Sequence, residues 1–314
     1  MKAVFILAAI LVLALLGSFL FTLWVARKVV AAFKPLPRVI EIDGERIHYR
    51  ELGQGPGIVF VHGLGGQAMN FNYLDLDKLA ATHRVVLIDR PGSGFSPRRD
   101  DGKAGIAAQA ALVAGFIRAM GFERPPLLVG HSLGGAISLA VALDHADCVG
   151  GLALIAPLTH YVPDVPAPFR ALEIRSSFLR NLFAHTLATP LAILNSRKVL
   201  DALFGPHATP RDFPVRGGGL LGLRPGGFYG ASTDMNGVEK DLPALQERWC
   251  GLKLPVDMLY GRGDRVLDWQ VQGQGLKDKL SQMTLEVIDG GHMVPVTAAP
   301  ACQTLIERAA ARLS

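Results

Sequence analysis

Cysteine is scarce in this sequence, and the few cysteines are not spaced for cross-linking or for metal binding. The 314 residues include three of them, Cys148, Cys250 and Cys302, and none belongs to a CxxC pair. An odd number without paired spacing excludes a disulfide framework and argues against a cysteine-based zinc site. We therefore expect three free, buried thiols.

Sequence motifs for nucleotides and cofactors are absent as well. The chain has no Walker loop, no G-x-G-x-x-G that opens a strand–helix unit, and no His/Cys cluster at metal-ligand spacing. We expect the protein to work without a metal ion and without an organic cofactor.

Acidic residues are missing from the first 38 positions, which carry five basic residues: Lys2, Arg27, Lys28, Lys34 and Arg38. The whole chain has 32 Lys+Arg and 27 Asp+Glu, so subtracting these five leaves 27 basic against 27 acidic residues in 39–314. A nucleic-acid-binding body would carry a clustered basic surface, so we expect no nucleic-acid partner. The hydrophobic content of 50% excludes a disordered chain.

The N-terminal segment contains one long uncharged run. Ala3–Ala26 spans 24 residues, and a helix of that length extends about 36 Å, enough to cross a bilayer core of about 30 Å. A buried core helix is rarely apolar on every face. A cleaved signal peptide has a shorter apolar region, and Arg27 and Lys28 separate this run from the small residues at 30–32. We predict an uncleaved transmembrane anchor over residues 1–28, embedded through residues 3–26.

The charges that flank this run predict the orientation of the anchor. Lys2 and the amino terminus precede the run, whereas the other four basic residues follow it. The positive-inside rule then places the rest of the protein on the cytoplasmic face, as in a single-pass protein of a bacterial inner membrane. Lys2 is also compatible with the opposite, secreted orientation. The Lys34–Pro37 segment predicts an extended linker over residues 29–38.

Residues 39–314 alternate between predicted strands and helices. Apolar runs and a hairpin pattern around Asp43-Gly44 predict strands at 39–51 (two strands), Gly57–Val61, Arg84–Ile88, Pro126–Val129, Val149–Ile155, Pro255–Tyr260 and Thr284–Ile288. Periodic segments predict helices at Gly105–Met120, Leu133–His145 and Pro300–Leu313. Strands that are apolar throughout and alternate with helices predict an α/β fold, with a mostly parallel sheet covered on both faces.

One segment breaks this alternation. Residues 158–250 contain many prolines and no clear strand, with helix candidates at Phe169–His185 and Thr189–Phe204. The glycine-rich stretch Gly217–Gly230 contains Gly217-Gly218-Gly219, which predicts a flexible loop. An insertion of this length is too long for a plain loop. We predict a helical cap over 158–250 that separates two parts of the core, 39–157 and 251–314.

The strongest chemical motif is Gly130-His131-Ser132-Leu133-Gly134-Gly135. It follows a predicted strand and precedes a predicted helix, which is the context that G-x-S-x-G requires. The sharp turn exposes the hydroxyl of Ser132, which we predict to be a nucleophile.

A second glycine-rich loop, His62–Gly66, follows the strand Gly57–Val61. Acyl transfer needs two amide donors directed at the oxyanion of the tetrahedral intermediate. The candidates are the backbone N–H groups of Leu133 and Leu64. His62 lies at a strand end, where we expect a structural role.

The other members of a catalytic triad are predicted after the last two strands. Asp264 follows Pro255–Tyr260, and His292 lies in a glycine-framed loop after Thr284–Ile288. The order Ser132, Asp264, His292 is that of hydrolase triads built on a G-x-S-x-G turn. Asp268 is the second candidate for the acid and Asp234 the third.

Residues 40–314 resemble the α/β-hydrolase superfamily, in its serine hydrolase branch with a helical cap. The resemblance rests on His62-Gly63, Asp89–Ser96, Gly130–Gly135, Gly261-x-x-Asp264 and Gly291-His292. It implies an eight-stranded sheet, with Ser132 as nucleophile, His292 as base and Asp264 as orienting acid. It also implies an oxyanion hole from the Leu64 and Leu133 amides, and a cap over the substrate pocket. Epoxide hydrolases and haloalkane dehalogenases of this superfamily carry Asp in place of Ser132, which argues against both.

These features together predict a membrane-anchored serine hydrolase that cleaves carboxylic esters or thioesters through an acyl-enzyme. A small hydrophobic substrate is favoured by apolar cap residues, which could equally pack the cap onto the core: Phe169, Leu172, Ile174, Phe178, Leu179, Leu182 and Phe183. The same triad also serves C–C bond hydrolases and cofactor-free haloperoxidases. A further alternative is a non-catalytic, membrane-tethered binding protein on a hydrolase scaffold, although such proteins typically lose a triad member.

Overall fold

A single sheet of eight strands forms the centre of the protein. The structure is a computed structural model and describes residues 1–313, apart from the side chain of Pro168. The strands are β1 (Arg38–Ile42), β2 (Glu45–Leu52), β3 (Gly57–Val61), β4 (Arg84–Ile88), β5 (Leu127–His131), β6 (Gly151–Ile155), β7 (Val256–Gly261) and β8 (Thr284–Ile288). They lie in the order β1-β2-β4-β3-β5-β6-β7-β8. Only β1–β2 and β2–β4 pair antiparallel, so the predicted mostly parallel sheet is confirmed.

The sequence pattern of the strands explains this arrangement. All residues of β3, β5, β6 and β7 are buried, as expected for strands covered by helices on both faces. β1 and β2 form a hairpin whose two turn residues, Asp43 and Gly44, both have positive φ (48° and 77°). This is the type I′ geometry that joins two antiparallel strands through two residues.

Eleven α-helices occur among the described residues. They are α1 (Lys2–Ala32), α2 (Leu76–Ala80), α3 (Ile106–Ala119), α4 (Leu133–Asp144), α5 (Ser177–Thr186), α6 (Ala188–Phe204), α7 (Phe213–Arg216), α8 (Pro225–Leu245), α9 (Gly275–Lys277), α10 (Val294–Thr297) and α11 (Ala299–Ala311). α4 packs on β3, β5 and β6, and α11 packs on β5, β6 and β7. The apolar residues of these helices and of the central strands form one continuous core.

The segment between β6 and β7 is helical: the predicted helix Thr189–Phe204 is confirmed by α6, whereas the other prediction needs correction. The predicted helix Phe169–His185 is divided into a 3-10 helix, Ala167–Leu172, and α5. Of the three residues predicted as a flexible loop, Gly217 and Gly218 connect α7 to the next helix, whereas the rest of the glycine-rich stretch is largely helical: Gly219–Leu223 is a 3-10 helix, and α8 begins at Pro225.

Two of the glycines of α8 are explained by the packing of this helix. A Cβ atom on Gly230 would lie 2.0 Å from the carbonyl oxygen of Gly92, and one on Gly237 would lie 2.5 Å from that of Ala104. Both glycines therefore let α8 approach the backbone of the core closely. Their role is packing rather than flexibility.

The N-terminal helix α1 packs on the body with its second half. It has a mean hydropathy of 2.9 and is long and apolar enough to cross a membrane. It continues to Ala32, through four residues of the predicted linker. The side chains of Ser18 and Thr22 donate hydrogen bonds to the carbonyl oxygen of Thr186, at 2.6 and 3.2 Å.

On the C-terminal side of these hydrogen bonds, an apolar contact joins α1 to the body. Val25, Val29 and Phe33 are buried with Leu221 of the 3-10 helix that precedes α8. Residues 18, 22, 25, 29 and 33 repeat every three or four positions, so they share one face of α1. Most of the residues before Ser18 are exposed.

The three cysteines are free, but they are not all buried as predicted. Cys148 and Cys302 are buried, whereas Cys250 is exposed. Cys250 lies in the 3-10 helix Gln246–Gly251, at the surface where the chain leaves the cap segment for β7.

Candidate active site

Ser132 occupies a strained turn between β5 and α4. Its backbone has φ 54° and ψ −122°, a conformation that is uncommon for a residue with a side chain. The turn lies close to the end of β3: a Cβ atom on Gly134 would lie 2.1 Å from the carbonyl oxygen of Val61. A Cβ atom on Gly63 would lie 2.8 Å from the Cβ atom of Ser132. The glycines of both loops therefore let the two strand ends meet at the serine.

Ser132, His292 and Asp264 form one chain of hydrogen bonds. The Nδ1 atom of His292 lies 2.7 Å from Oδ2 of Asp264, and its Nε2 atom lies 3.0 Å from Oγ of Ser132. The buried Asp264 carboxylate next to Nδ1 holds the ring hydrogen there, so Nε2 accepts from the serine hydroxyl. The side chain of Asp264 is 0% exposed and that of His292 is 4% exposed.

The carboxylate of Asp264 is held by its own loop. Its Oδ1 atom accepts hydrogen bonds from the N–H groups of Val266 and Leu267, at 2.8 and 2.9 Å. These bonds direct Oδ2 at the histidine. The two other candidate acids lie elsewhere: Asp268 accepts from the N–H of Gln270, and Asp234 is paired with arginines.

Two further histidines near the site are buried and neutral. Burial, with Arg90 nearby, lowers the pKa of His62 well below its usual value, and its Nδ1–H donates to the carbonyl oxygen of Gly63. Burial, with His292 nearby, lowers the pKa of His131 to about 3. The Nε2–H of His131 donates to the carbonyl oxygen of His292 at 3.1 Å. Both rings therefore support the backbone of catalytic loops.

The two predicted oxyanion donors lie at the wall of the same cavity as Ser132. Leu133 is the first residue of α4, where a backbone N–H has no acceptor within the helix. Leu64 lies in a turn closed by a hydrogen bond from the N–H of Gly66 to the carbonyl oxygen of Gly63, at 3.2 Å. That bond does not use the N–H of Leu64.

Arg90 is a residue of the site that sequence reasoning did not single out. Its guanidinium is 1% exposed and donates to the carbonyl oxygens of His62 and Gly63, at 3.1 and 2.8 Å. It also pairs with Asp234 of α8 at 2.9 Å. The only sequence signal was its place in the motif Asp89–Ser96, which does not reveal a partner 144 residues away.

A cavity of about 470 Å³ lies in front of Ser132 and His292, between the core and the segment that follows β6. Its walls are mainly apolar, and its charged members are Asp164, Glu173, Glu239 and Asp268. No Lys or Arg lines it among the described residues. Of the apolar cap residues named from the sequence, Phe169 alone lines this cavity, whereas Phe178, Leu179 and Leu182 are exposed on α5.

The described residues 1–313 contain no group of three or more His, Cys, Asp or Glu side chains that could hold a metal ion. The polar side chains at Ser132 form hydrogen bonds with one another, from Asp264 to His292 and from His292 to Ser132. The arrangement offers a nucleophile, a base that can accept its proton and a carboxylate that orients the base.

Comparisons with known proteins agree with this architecture. Residues 56–299 match the family described as alpha/beta hydrolase fold. The pimeloyl-[acyl-carrier protein] methyl ester esterase of Chromobacterium violaceum is 32% identical over 219 residues, which cover 68% of this chain and 78% of that protein. The 2-hydroxy-6-oxononadienedioate/2-hydroxy-6-oxononatrienedioate hydrolase of Burkholderia vietnamiensis is 28% identical over 232 residues, which cover 72% of this chain and 77% of that protein.

A solved structure extends the similarity to the N-terminal helix. A membrane phospholipase A, described as a bacterial virulence factor, superposes with a TM-score of 0.68 at 23% identity. The superposition covers 98% of this chain and 99% of that chain. At this level of identity the similarity concerns the fold.

Proposed function

Because the chain belongs to the α/β-hydrolase fold family, we propose that it is a membrane-anchored serine hydrolase that cleaves carboxylic esters or thioesters through an acyl-enzyme. The observation that carries the proposal is the hydrogen-bonded chain from Asp264 through His292 to Ser132. Three side chains from three separate loops meet at hydrogen-bond distance, in the arrangement that activates a serine.

In the first step, Ser132 attacks the carbonyl carbon of the substrate while Nε2 of His292 takes the hydroxyl proton. Asp264 stabilises the imidazolium that forms and keeps Nδ1 protonated. The negative charge on the carbonyl oxygen is received by the N–H groups of Leu64 and Leu133. His292 then protonates the leaving alcohol or thiol, and an ester joins the acyl group to Ser132.

In the second step, a water molecule gives a proton to Nε2 of His292 and attacks the acyl-enzyme. The oxyanion is again received by the two leucine amides. Collapse of the second tetrahedral intermediate releases the acid and returns the proton to Ser132. His292 carries each proton between Ser132, the leaving group and the attacking water.

The walls of the cavity favour an uncharged acyl group over an anionic one. Four carboxylates line the cavity, and no lysine or arginine does so among the described residues. These carboxylates are exposed, and those of Asp164 and Glu239 pair with Arg170 and Arg175. The preference therefore rests on the apolar walls: desolvating a negatively charged group there, with no buried cation as partner, is unfavourable. An apolar ester, as in the methyl ester esterase relative, therefore fits better than the dioate that the Burkholderia relative hydrolyses. This observation favours ester or thioester cleavage over C–C bond cleavage of an anionic substrate.

The length of α1 supports membrane insertion that brings the body to the bilayer surface. Residues 3–17 precede the first contact with the body, and 15 helical residues extend about 22 Å. A hydrocarbon core of about 30 Å needs about 20 residues. With α1 spanning the bilayer from residue 3, the free part falls about 8 Å short of the full core, so Ser18 lies inside the hydrocarbon and Thr22 near its edge. Thr186, which accepts hydrogen bonds from both, then lies at the same level.

Exposed apolar residues continue from this point over α5 and α6. Phe178 is 74% exposed and Leu194 is 79% exposed, and further members of the surface are Leu179, Leu182, Leu187 and Leu191. An exposed apolar surface next to a spanning helix is suited to the lipid headgroup region. We extend the proposal to a body that rests on the membrane, on the cytoplasmic side that the charges around α1 predict.

The nucleophile can be tested directly with a fluorophosphonate probe and a short p-nitrophenyl ester. Ser132→Ala should lose labelling and nearly all turnover in detergent-solubilised full-length protein. Ser196→Ala, an exposed serine on α6, is the matched control and should retain both. Labelling of the Ser132→Ala protein would refute the assignment, and inert wild-type protein would support the non-catalytic alternative. A panel that adds dienone and halide substrates separates C–C hydrolase and haloperoxidase activity.

A further inference from the structure

A second cavity, of about 390 Å³, lies on the other side of α8 and shares no lining residue with the active-site cavity. Its walls come from the loop after β4, from α5 and from the start of α8. They consist of Gly92, Gly94, Phe95, Ser96, Pro97, Arg98, Asn181, His185, Arg224, Gly226, Tyr229 and Gly230. No Asp or Glu belongs to this lining, in contrast to the active-site cavity.

Arg98 is the most informative residue of this wall. Its side chain is 2% exposed, and its Nη2 atom donates to Asp234 and, at 2.7 Å, to the carbonyl oxygen of Pro91. Its Nε and Nη1 atoms are buried and have no hydrogen-bond partner among the described residues. Buried guanidinium N–H groups without an acceptor are costly and rare in folded proteins. Their position in a cavity wall indicates an acceptor that binds there.

Two more basic side chains line the same cavity. Arg224 donates from Nη2 to the carbonyl oxygen of Gly94 and from Nε to that of Leu221, at 3.2 Å, so Nη1 remains for a ligand. His185 donates its Nδ1–H to the carbonyl oxygen of Asn181, at 2.9 Å, which leaves Nε2 as an acceptor in the neutral ring, so we count no donor from His185.

The acidic side chains behind this lining already form ion pairs or hydrogen bonds with other residues of the protein. Asp234 pairs with both Arg90 and Arg98. The carboxylate of Asp89, whose pKa burial raises to about 6, accepts from the N–H groups of Ala68 and Phe95. Asp101 accepts from Tyr229 at 2.5 Å and pairs with Arg180 at 3.4 Å. The cavity therefore presents unused donors and no unused acid.

The start of α8 adds one backbone donor to the same wall, the N–H of Gly226. Pro225 has no N–H, and the N–H groups of Gly227 and Phe228 bond to the carbonyl oxygen of Arg224. α8 has 21 residues, its first residue is Pro225, and no described side chain caps its N-terminus. Gly226, the second residue, lines the cavity. The N–H groups at the start of a long helix carry partial positive charge and favour an anion.

From these observations we propose that the second cavity binds a phosphate group, as a monoester or a diester, between Arg98, Arg224 and the start of α8. Forked guanidinium donors and helix N–H groups are the two common protein partners of phosphate oxygens. The phosphate can come from a lipid headgroup or from a soluble phosphate ester. Phe95 of this wall packs in the same apolar cluster as Val25 and Val29 of α1. With α1 inserted as proposed above, the cavity lies at the depth of the lipid headgroups.

The experiment uses the full-length chain with Ser132→Ala, so that no probe is hydrolysed and the result is independent of the proposed catalysis. Binding is measured by calorimetry in detergent at fixed ionic strength. The soluble arm uses inorganic phosphate and glycerol 3-phosphate. The lipid arm compares dihexanoyl phosphatidylglycerol with dihexanoylglycerol, which has the same acyl chains without the phosphate.

We expect binding at one site per chain in at least one arm, and dihexanoylglycerol should bind more weakly than the phosphate-bearing lipid. Arg98→Lys and Arg224→Gln should each weaken this binding by about tenfold or more, because a charge-assisted hydrogen bond is lost. Arg118→Gln, at an exposed ion pair with Asp147, is the matched control and should bind like the parent. Binding of the soluble probes identifies a soluble ester site, and binding of the phospholipid alone identifies a headgroup site.

Two results would overturn the proposal. One is that no phosphate-bearing probe binds better than its phosphate-free control. The other is that Arg98→Lys and Arg224→Gln bind like the parent, which would put any binding elsewhere. If Arg98→Lys fails to fold, Arg224→Gln decides the question by the same comparison with the parent.

Discussion

The Nη2 atom of Arg90 donates a hydrogen bond of 2.8 Å to the carbonyl oxygen of Gly63, the residue that precedes the proposed oxyanion donor Leu64. The same guanidinium pairs with Asp234 of α8. The loop of the proposed oxyanion donor Leu64 is therefore connected to α8 through one buried arginine, and we propose that Arg90 is a positioning residue.

Arg90→Lys should lower kcat for a p-nitrophenyl ester by about tenfold to a hundredfold, with little change in KM. A lysine keeps the charge next to Asp234 but cannot hold two carbonyl oxygens at once, and misplacing one oxyanion donor costs rate in this range. Steady-state kinetics of the two proteins measure the effect. Arg118→Lys should leave both constants unchanged, because its ion pair is exposed. A normal kcat in the Arg90 variant would contradict the positioning role.

Asp264→Asn should lower kcat by about 10⁴, because an amide at this place favours the wrong tautomer of His292. Asp268→Asn is the control, since Asp268 lines the cavity but bonds to the N–H of Gln270 rather than to the histidine. We expect kcat of the control within about threefold of wild type. The reverse order of effects, measured by steady-state kinetics, would identify Asp268 as the acid.

The buried His131 should make the protein less stable in acid. Its pKa is about 3 in the folded protein against an ordinary value of 6.5, so the unfolded chain binds a proton that the folded chain does not. Stability is therefore lost as the pH falls from about 6.5 towards 3, by about 1.4 kcal/mol per pH unit for one such group. Asp89, with a raised pKa of about 6, acts in the opposite direction, since its contribution is lost as the pH rises.

Replacing His131 by Gln isolates this contribution, because the other groups are common to both proteins. The free energy of unfolding in urea should fall less steeply between pH 7 and pH 5 for His131→Gln than for wild type. Parallel pH dependences of the two proteins would exclude His131 as a source of acid sensitivity.

Gly230→Ala should destabilise the protein by about 1–3 kcal/mol, because the added methyl group would overlap the carbonyl oxygen of Gly92. Gly226→Ala, on the same helix, meets nothing within 4 Å and should be neutral or stabilising by up to about 1 kcal/mol. The thermal unfolding midpoints of both variants test the pair. An equal response to the two substitutions would show that α8 does not need this close approach.

Cys250 offers a native probe of membrane sidedness, since it is exposed while Cys148 and Cys302 are buried. For a body on the cytoplasmic side, a membrane-impermeant maleimide should label spheroplasts of a bacterial host only after lysis. Cys250→Ser should remove the signal in lysed cells and so identifies the labelled residue. Labelling of intact spheroplasts would reverse the proposed orientation.

The sheet could be predicted from the sequence because its central strands β3, β5, β6 and β7 are short apolar runs, buried along their whole length. The three side chains of the candidate triad could be found for a related reason. Ser132, Asp264 and His292 each follow a strand of a parallel sheet, and the carboxyl ends of such strands meet at one edge. Local pattern and topology together therefore predicted which residues would meet.

Contacts between distant segments could not be predicted in this way. The need for glycine at Gly230 in α8 could not be found from the sequence, because its reason lies in the backbone of Gly92, far away in the sequence. The periodicity of α5 shows that Phe178 and Leu182 share a face, but not whether that face meets a cavity or the surroundings. The pairing of Arg90 with Asp234 is likewise visible only once the chain is folded.

In the proposed membrane-anchored state, the contact between α1 and the body limits how the body can move. Val25 and Val29 pack against Leu221, so α1 is not a loose tether, and its packing sets the tilt of the body relative to the bilayer. Removing the residues before Arg27 would delete Val25 from this cluster and expose part of the apolar surface around Leu221. An exposed apolar surface of this kind favours aggregation of the shortened protein.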